Sequence, residues 1–165
     1  MSSRAHKIQF EELYQQYLPM VLQMCRGYMK GHDELAKDLA QEVFINVWNA
    51  LPGFQGKSTY KTWIYRITVN SCLSYLRNKK HQATIPIETV AQNHSDETHE
   101  KELEVETLYV AIGRLPEIDR LIIMMVLNEI DYEEIADVMG LSSGNLRVRI
   151  HRIKKNLKNY LNNAN

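Results

Sequence analysis

The chain has 165 residues, of which 44% are apolar and 24% are charged. This composition excludes a wholly disordered chain, which would lack the apolar surface needed to offset its ordering entropy. The longest apolar run, residues 121–127, is far shorter than the roughly 20 residues of a membrane-spanning helix. The two cysteines, Cys25 and Cys72, exclude a disulfide framework and a four-ligand cysteine zinc site. We therefore expect a soluble, cytoplasmic protein without membrane insertion, bound metal or other cofactor.

Charge balances overall, with 20 basic and 20 acidic residues, but it is unevenly distributed along the chain. Residues 57–87 and 147–158 each contain six basic residues and no carboxylate, whereas residues 88–106 contain seven acids and one lysine. Two basic blocks separated by an acidic segment suit two contact surfaces for a polyanion such as nucleic acid. The charges alone leave a second interpretation open, in which these blocks are solvated helix faces.

The N-terminal half contains two long apolar stripes at helical spacing. The first runs through residues 10–25 and contains Pro19, which should kink the helix or start a new one. The second runs through residues 35–51 and should end at Pro52 and Gly53.

A third helix is predicted from about residue 59 to residue 78, with Ser58 as a candidate N-cap. No segment shows the sustained alternation of a strand. We therefore predict a compact module of three or four helices over residues 8–80, followed by a flexible acidic linker at residues 81–101.

The C-terminal module is predicted over residues 102–161. Its first helix should end near Pro116, and residues 117–128 should form a buried apolar helix. Asp131 with Glu134 resembles a capping box at the start of the next helix. The complete prediction is an all-α protein with two small helical domains.

A helix-turn-helix is predicted from the spacing of three residues in the C-terminal module. Ala136 lets two helices approach closely, Gly140 supplies the positive φ of the turn, and Leu146 locks the second helix onto the first. Ser142 or Ser143 should cap that second helix, whose outer face would enter the major groove of DNA.

The residues on this outer face divide by chemistry. Those near the leading end are placed to read base edges, and the cations are better placed for phosphates. The candidate contacts are Ser143, Gly144, Asn145, Arg147, Val148, Arg149, His151, Arg152 and Lys155. Six basic residues without an acid on this helix argue against an ordinary helical hairpin.

The second helix carries a polar face opposite its apolar stripe. Ile45 is an apolar residue isolated on that face, which suits a protein-binding surface. A solvated face with one stray isoleucine is an equally open interpretation. The candidate surface consists of Asp38, Gln41, Glu42, Ile45 and Asn49.

The third helix and the loop before it mix aromatic residues with cations. Rings beside basic groups suit unpaired bases, which stack on the rings while Lys and Arg pair with phosphates. Trp63 shares a face with Ile67 and is expected to pack in the core, and Tyr60 is as readily a core residue as a stacking platform. The candidate contacts are Lys57, Ser58, Tyr60, Lys61, Trp63, Arg66, Asn70 and Arg77.

Taken in order, these motifs resemble those of bacterial RNA polymerase sigma factors. Residues 38–48 resemble the core-polymerase-binding helix, and residues 54–77 resemble the segment that melts the promoter. Residues 115–152 resemble the C-terminal helix-turn-helix. Only two modules are present and a linker joins them directly, so the resemblance is to the small extracytoplasmic-function group.

The resemblance implies a role and a partner for each segment. The second helix would dock on core RNA polymerase at the clamp coiled coil of the largest subunit. The flap of the polymerase is a further implied contact of the chain. The loop at residues 54–58 would capture a base flipped from the −10 element of promoter DNA. The last helix would read the −35 element as duplex. An anti-sigma factor is also implied as a partner, often a membrane protein with a cytoplasmic domain.

Two departures from the family pattern leave the promoter sequence open. Residues 143–148 differ from the commoner Gly-Thr-Val-Lys-Ser at the leading end of the last helix. Gln55 and Lys57 in the capture loop leave the −10 base undetermined.

Two other classes of function compete with this interpretation. An autonomous helix-turn-helix regulator would bind duplex DNA without polymerase, most simply as a dimer on a palindrome. An enzyme is disfavoured because His94, His99, Cys72, Glu133 and Glu134 form no recognisable nucleophile or metal pattern.

Overall fold

The computed structural model describes residues 2–79 and 96–164, and the regular structure in these ranges is helical, without strands. The helices are α1 (Ser3–Tyr28), α2 (Asp33–Ala50), α3 (Tyr60–Lys79), α4 (Asp96–Gly113), α5 (Glu117–Leu127), α6 (Tyr132–Met139) and α7 (Ser143–Asn162). A 3₁₀ turn at Leu51–Gly53 follows α2. The predicted all-α fold is confirmed.

The N-terminal domain consists of α1, α2 and α3 packed around one apolar core. Pro19 lies inside α1, which continues as one helix to Tyr28, so of the two outcomes expected at Pro19 the start of a new helix is excluded. Leu13 and Val21 are buried on either side of Pro19. Their packing holds the helix together despite the missing hydrogen bond of the proline.

The start of α3 differs by one residue from the predicted cap. The backbone N–H of Thr62 donates to Thr59 Oγ1 at 3.2 Å, which is the geometry of an N-cap side chain. Ser58 instead donates through its hydroxyl to the carbonyl of Thr59. Thr59 is therefore the cap, and Ser58 lies in the preceding loop.

The C-terminal domain consists of α4, α5, α6 and α7. Helix α4 begins at Asp96, so residues 96–101, predicted as linker, are helical, and residues 81–95 lie outside the described residues. Asp131 occupies the N-cap position of α6, but its side chain makes no cap hydrogen bond. The capping box predicted for Asp131 and Glu134 is therefore absent.

The two domains pack against each other through α1 with α4 and α5, and through α3 with α6. Arg120 of α5 is buried and donates from Nε to the Tyr28 carbonyl at 3.0 Å and from Nη1 to the Leu115 carbonyl at 2.8 Å. Its guanidinium also lies over the Tyr28 ring, 5.2 Å from the centroid, and burial lowers the Arg120 pKa. Arg120 thus ties the C-terminal domain to the end of α1.

Gly27 of α1 lies against Met124 of α5, where the two domains pack. A Cβ at this position would lie 2.4 Å from both Cγ and Sδ of Met124. Gly27 lies within a regular α-helix, so its backbone conformation suits any residue. The small space beside Met124 is what favours glycine at this position.

Candidate nucleic-acid and polymerase interfaces

The turn between α6 and α7 has the geometry predicted for a helix-turn-helix. Gly140 has a φ of +66°, and the N–H of Leu141 donates to the Ala136 carbonyl at 2.9 Å. Ala136 and Leu146 are buried, as their roles require. Ser142 caps α7 by accepting the N–H of Asn145 at 3.3 Å.

The outer face of α7 is open to solvent along its length. The exposed residues of this face, here called the α7 surface, are Gly144, Asn145, Arg147, Val148, His151, Arg152 and Lys155. Buried residues lie on the opposite side of the same helix, at Leu146, Ile150, Ile153 and Leu157. The predicted candidate contacts therefore share one outward surface, apart from the two considered next.

Ser143 and Arg149 are held by carboxylates of the same domain. The Ser143 hydroxyl donates to Glu133, which also lies 3.7 Å from Arg147 Nη2. Arg149 Nε donates to Asp119 Oδ1 at 2.6 Å, and the Asp119 side chain is only 5% exposed. Arg149 therefore ties α7 to α5, a role that the sequence did not indicate because the two residues are 30 positions apart.

An aromatic cluster marks the loop before α3. Phe54 stacks on Tyr60 with centroids 4.4 Å apart and an interplanar angle of 26°, and it lies 5.0 Å from the Trp63 ring. The Gln9 side chain of α1 donates to the Tyr60 hydroxyl. Lys57 and Lys61 are exposed beside the cluster. The loop thus combines half-buried rings with free cations.

The face of α3 beyond this cluster, here called the α3 surface, meets α6 of the C-terminal domain. Arg66 forms an ion pair with Asp137, and the Thr62 hydroxyl donates to Glu134. Asn70 and Arg77 are exposed further along the helix. Two acids of the helix-turn-helix therefore occupy the part of α3 around a candidate DNA contact.

Tyr65, the residue of α3 before Arg66, is buried. Burial raises its pKa to about 12, and the carboxylate of Glu134 contributes in the same direction.

The polar face of α2, here called the α2 surface, is exposed. Its residues are Asp38, Gln41, Glu42, Ile45 and Asn49. Ile45 is 60% exposed, although Leu39, Val43 and Val47 on the opposite face are buried. Trp48, which the sequence assigned to the apolar stripe, is 39% exposed and adds a second apolar group one turn from Ile45.

The described residues contain neither a cluster of metal ligands nor a membrane-spanning helix. Among residues 2–79 and 96–164, no three His, Cys, Asp or Glu side chains group as metal ligands. In the same residues, no helix has the length and hydropathy needed to cross a membrane.

Comparison with known sequences identifies relatives along the whole chain. The sequence matches the family Sigma-70 region 2 at residues 13–82 and Sigma-70, region 4 at residues 106–157. RNA polymerase sigma factor YlaC of Bacillus subtilis is 31% identical over 163 residues, covering 93% of this chain and 92% of YlaC. The ECF RNA polymerase sigma-E factor of Escherichia coli is 29% identical, covering 91% of this chain and 85% of that protein.

Solved structures share the same arrangement of helices. The sigma factor RpoE of Bartonella quintana, crystallised with the anti-sigma factor NepR, has a TM-score of 0.77 at 21% identity and covers 93% of this chain and 97% of RpoE. CnrH, solved with the cytosolic domain of CnrY, has a TM-score of 0.68 at 22% identity, covering 96% and 91%. These similarities confirm the fold.

The relatives confirm the family that the sequence motifs indicated and do not favour an autonomous regulator. Both family matches lie in the order predicted, with region 2 before region 4. The chain belongs to the extracytoplasmic-function sigma factors, which direct the initiation of transcription by RNA polymerase.

Proposed function

We propose that the α2 surface binds core RNA polymerase at the clamp coiled coil of its largest subunit. The aromatic cluster and the α3 surface would then read the −10 element of a promoter, and the α7 surface would read the −35 element. One observation carries the polymerase contact. Ile45 lies exposed among polar residues on a helix whose other face is fully packed. An exposed apolar group within a polar surface is typical of a protein-binding site.

The −35 contact follows from the charge of the α7 surface. Arg147, Arg152 and Lys155 are exposed, and cations of this kind contact phosphates and fix the register of a helix on DNA. The shorter polar residues at the leading end, Ser143, Gly144 and Asn145, lie where a helix-turn-helix reads base edges.

The −10 contact depends on the aromatic cluster. Phe54, Tyr60 and Trp63 supply ring surface beside Lys57 and Lys61, and a flipped base can stack on rings while its phosphates meet cations. A flipped base costs a few kcal/mol. Stacking offsets that cost in the proposed mechanism, and the chain itself catalyses no reaction.

Opening of the two domains is part of the proposal. Asp137 and Glu134 are bound to Arg66 and Thr62, so promoter DNA reaches this part of the α3 surface only after α6 moves away. Core polymerase, contacting one domain at the clamp and the other at the flap, would hold the open form and add two weak DNA contacts into one recognition event.

An inhibitory partner is the remaining element. RpoE and CnrH were each solved with a bound partner, NepR and the cytosolic domain of CnrY. We propose that this chain acts in the cytoplasm and is inhibited there by an anti-sigma factor. The cytoplasmic domain of a membrane-anchored protein would fit this role.

The experiment that tests the proposal measures the affinity of the purified chain for bacterial core RNA polymerase. Glu42→Lys should weaken binding at least ten-fold, because a new cation would oppose the contact. Glu12→Lys, an equally large charge change at an exposed residue of α1, is the matched control. Unchanged binding by Glu42→Lys, with circular dichroism like that of the native chain, would remove the α2 surface from the proposal.

A further inference from the structure

Val148 is the most exposed large apolar side chain among the described residues, at 71%. It lies in the second turn of α7, between Leu146 and Ile150, which are both buried on the opposite face. The packing of the domain therefore does not account for a valine here.

The surroundings of Val148 identify the chemistry of its partner. Arg147, Arg152 and Lys155 are exposed on the same helix, and the chain has no acid after Asp137. A surface with this charge complements a polyanion and repels a basic one. A polyanion therefore fits the α7 surface, and on the premise of the proposed function that polyanion is duplex DNA.

Valine has no hydrogen-bond donor or acceptor in its side chain, which limits what it can read. The base edges of the major groove present donors, acceptors and one apolar group, the C5-methyl of thymine. Buried contact between the two apolar groups removes both from water, whereas contact with a polar base edge would leave that edge unpaired.

We propose that Val148 is a specificity-determining residue that contacts the C5-methyl group of a thymine in the −35 element. This inference rests on the proposed function. It adds a base preference at one position of the −35 element.

The test compares thymine with uracil, which differ only in this methyl group. Holoenzyme made from core RNA polymerase and the full chain first selects its −35 sequence from promoter DNA randomised in that region. The recovered duplex is then remade with deoxyuridine at each −35 thymine in turn. At one position, deoxyuridine should weaken binding about four-fold, the effect of one buried methyl group.

Variants of Val148 show whether this residue senses the methyl group. Val148→Ser holoenzyme should bind the thymine and uracil duplexes equally, whereas Val148→Thr, which keeps one methyl group, should retain part of the difference. Deoxyuridine outside the −35 element is the DNA control. Thermal unfolding should be unchanged, because the side chain is exposed.

Each other result overturns the assignment. A selected −35 element without thymine, or a uracil effect that persists in Val148→Ser, rejects the methyl contact while leaving the proposed function in place. A holoenzyme that forms but selects no common −35 sequence rejects both. Weaker core binding by Val148→Ser, with no change in the thymine-to-uracil ratio, reassigns the residue to the polymerase.

Discussion

The α7 surface and the α3 surface have the same kind of sequence but different surroundings in the fold. Each belongs to a basic block without a carboxylate. Along α7, Arg152 and Lys155 are exposed to solvent, whereas on α3 the Arg66 guanidinium is paired with Asp137. The number of unpaired cations in a basic block therefore cannot be read from the block alone. It also depends on whether acids distant in sequence, such as Asp137, pack against the block in the fold.

The same comparison separates the two DNA contacts by what must happen before each can form. The residues of the α7 surface are already exposed, so the proposed −35 contact needs no rearrangement of that surface. The proposed −10 contact needs Glu134 and Asp137 to leave Thr62 and Arg66, and therefore a change in domain arrangement.

The largest expected effect concerns Arg149, the candidate α7 contact that is paired with a buried carboxylate. Arg149→Ala leaves the buried Asp119 carboxylate without its partner and should lower the free energy of unfolding by about 3 kcal/mol. Arg152→Ala, at an exposed position of the same helix, should change it by less than about 0.5 kcal/mol. Urea denaturation measures both. Equal stability of the two variants would place Arg149 with the free cations of the α7 surface.

The next effect is a loss of stability at high pH, caused by ionisation of the buried Tyr65 hydroxyl. The pKa of Tyr65 is raised to about 12 in the folded chain from an ordinary value of 10.0. The folded state therefore holds this proton more tightly, and its contribution is complete below pH 10 and is lost as the pH rises toward 12. The expected loss is about 2–3 kcal/mol.

Tyr65→Phe isolates this contribution, because other groups also titrate in the same range. Urea denaturation between pH 9 and pH 11.5 should show a weaker pH dependence in the variant than in the native chain. Parallel curves would mean that the Tyr65 hydroxyl is solvated in the folded protein.

A smaller effect is expected where the two domains touch. Gly27→Ala places a Cβ against Met124 and should weaken the domain contact by about 2 kcal/mol through overpacking. Alanine simultaneously favours α1 by about 1 kcal/mol, so the N-terminal domain itself should not unfold. Small-angle scattering should show a larger radius of gyration.

Gly53→Ala is the matched control, since nothing lies within 4 Å of a Cβ at that position. An unchanged radius in both variants would show that Met124 moves aside at little cost, and Gly27 would then not govern the domain contact.

The smallest effect tests the ion pair itself. Asp137→Asn removes an exposed partner of Arg66, worth less than about 1 kcal/mol, and should raise the affinity of the free chain for a single-stranded DNA oligonucleotide by at most about three-fold. Asp131→Asn makes the same charge change elsewhere on the domain. If both variants gain equally, net charge and not the release of Arg66 explains the result.

Short-range patterns in the sequence predicted much of the fold. The helix-turn-helix depends on Ala136, Gly140 and Leu146, which act within ten residues of one another, and each has its expected burial or backbone angle. The α2 surface was recognised for the same reason, since helical periodicity separates its exposed and buried residues. Its binding role stays a prediction.

Local signals were not sufficient where tertiary contacts also act. Pro19 could have kinked α1 or started a new helix, and no new helix starts there, because residues on both sides of Pro19 are packed. Glu134 did not form a capping box, because it accepts a hydrogen bond from Thr62 of the other domain. No local pattern could indicate Arg66 with Asp137, which are 71 positions apart.

The buried Arg120 contact between the domains affects the apparent affinity of the chain for any ligand that needs the domains apart. Any ligand that binds only the separated domains has its apparent affinity reduced by the fraction of chains already separated. Each 1.4 kcal/mol of domain-closing free energy thus raises about ten-fold the polymerase concentration needed for half-saturation. If polymerase binds only the open form, as proposed, the interface lowers the fraction of the factor that is loaded at a given polymerase concentration, even when no inhibitor is bound.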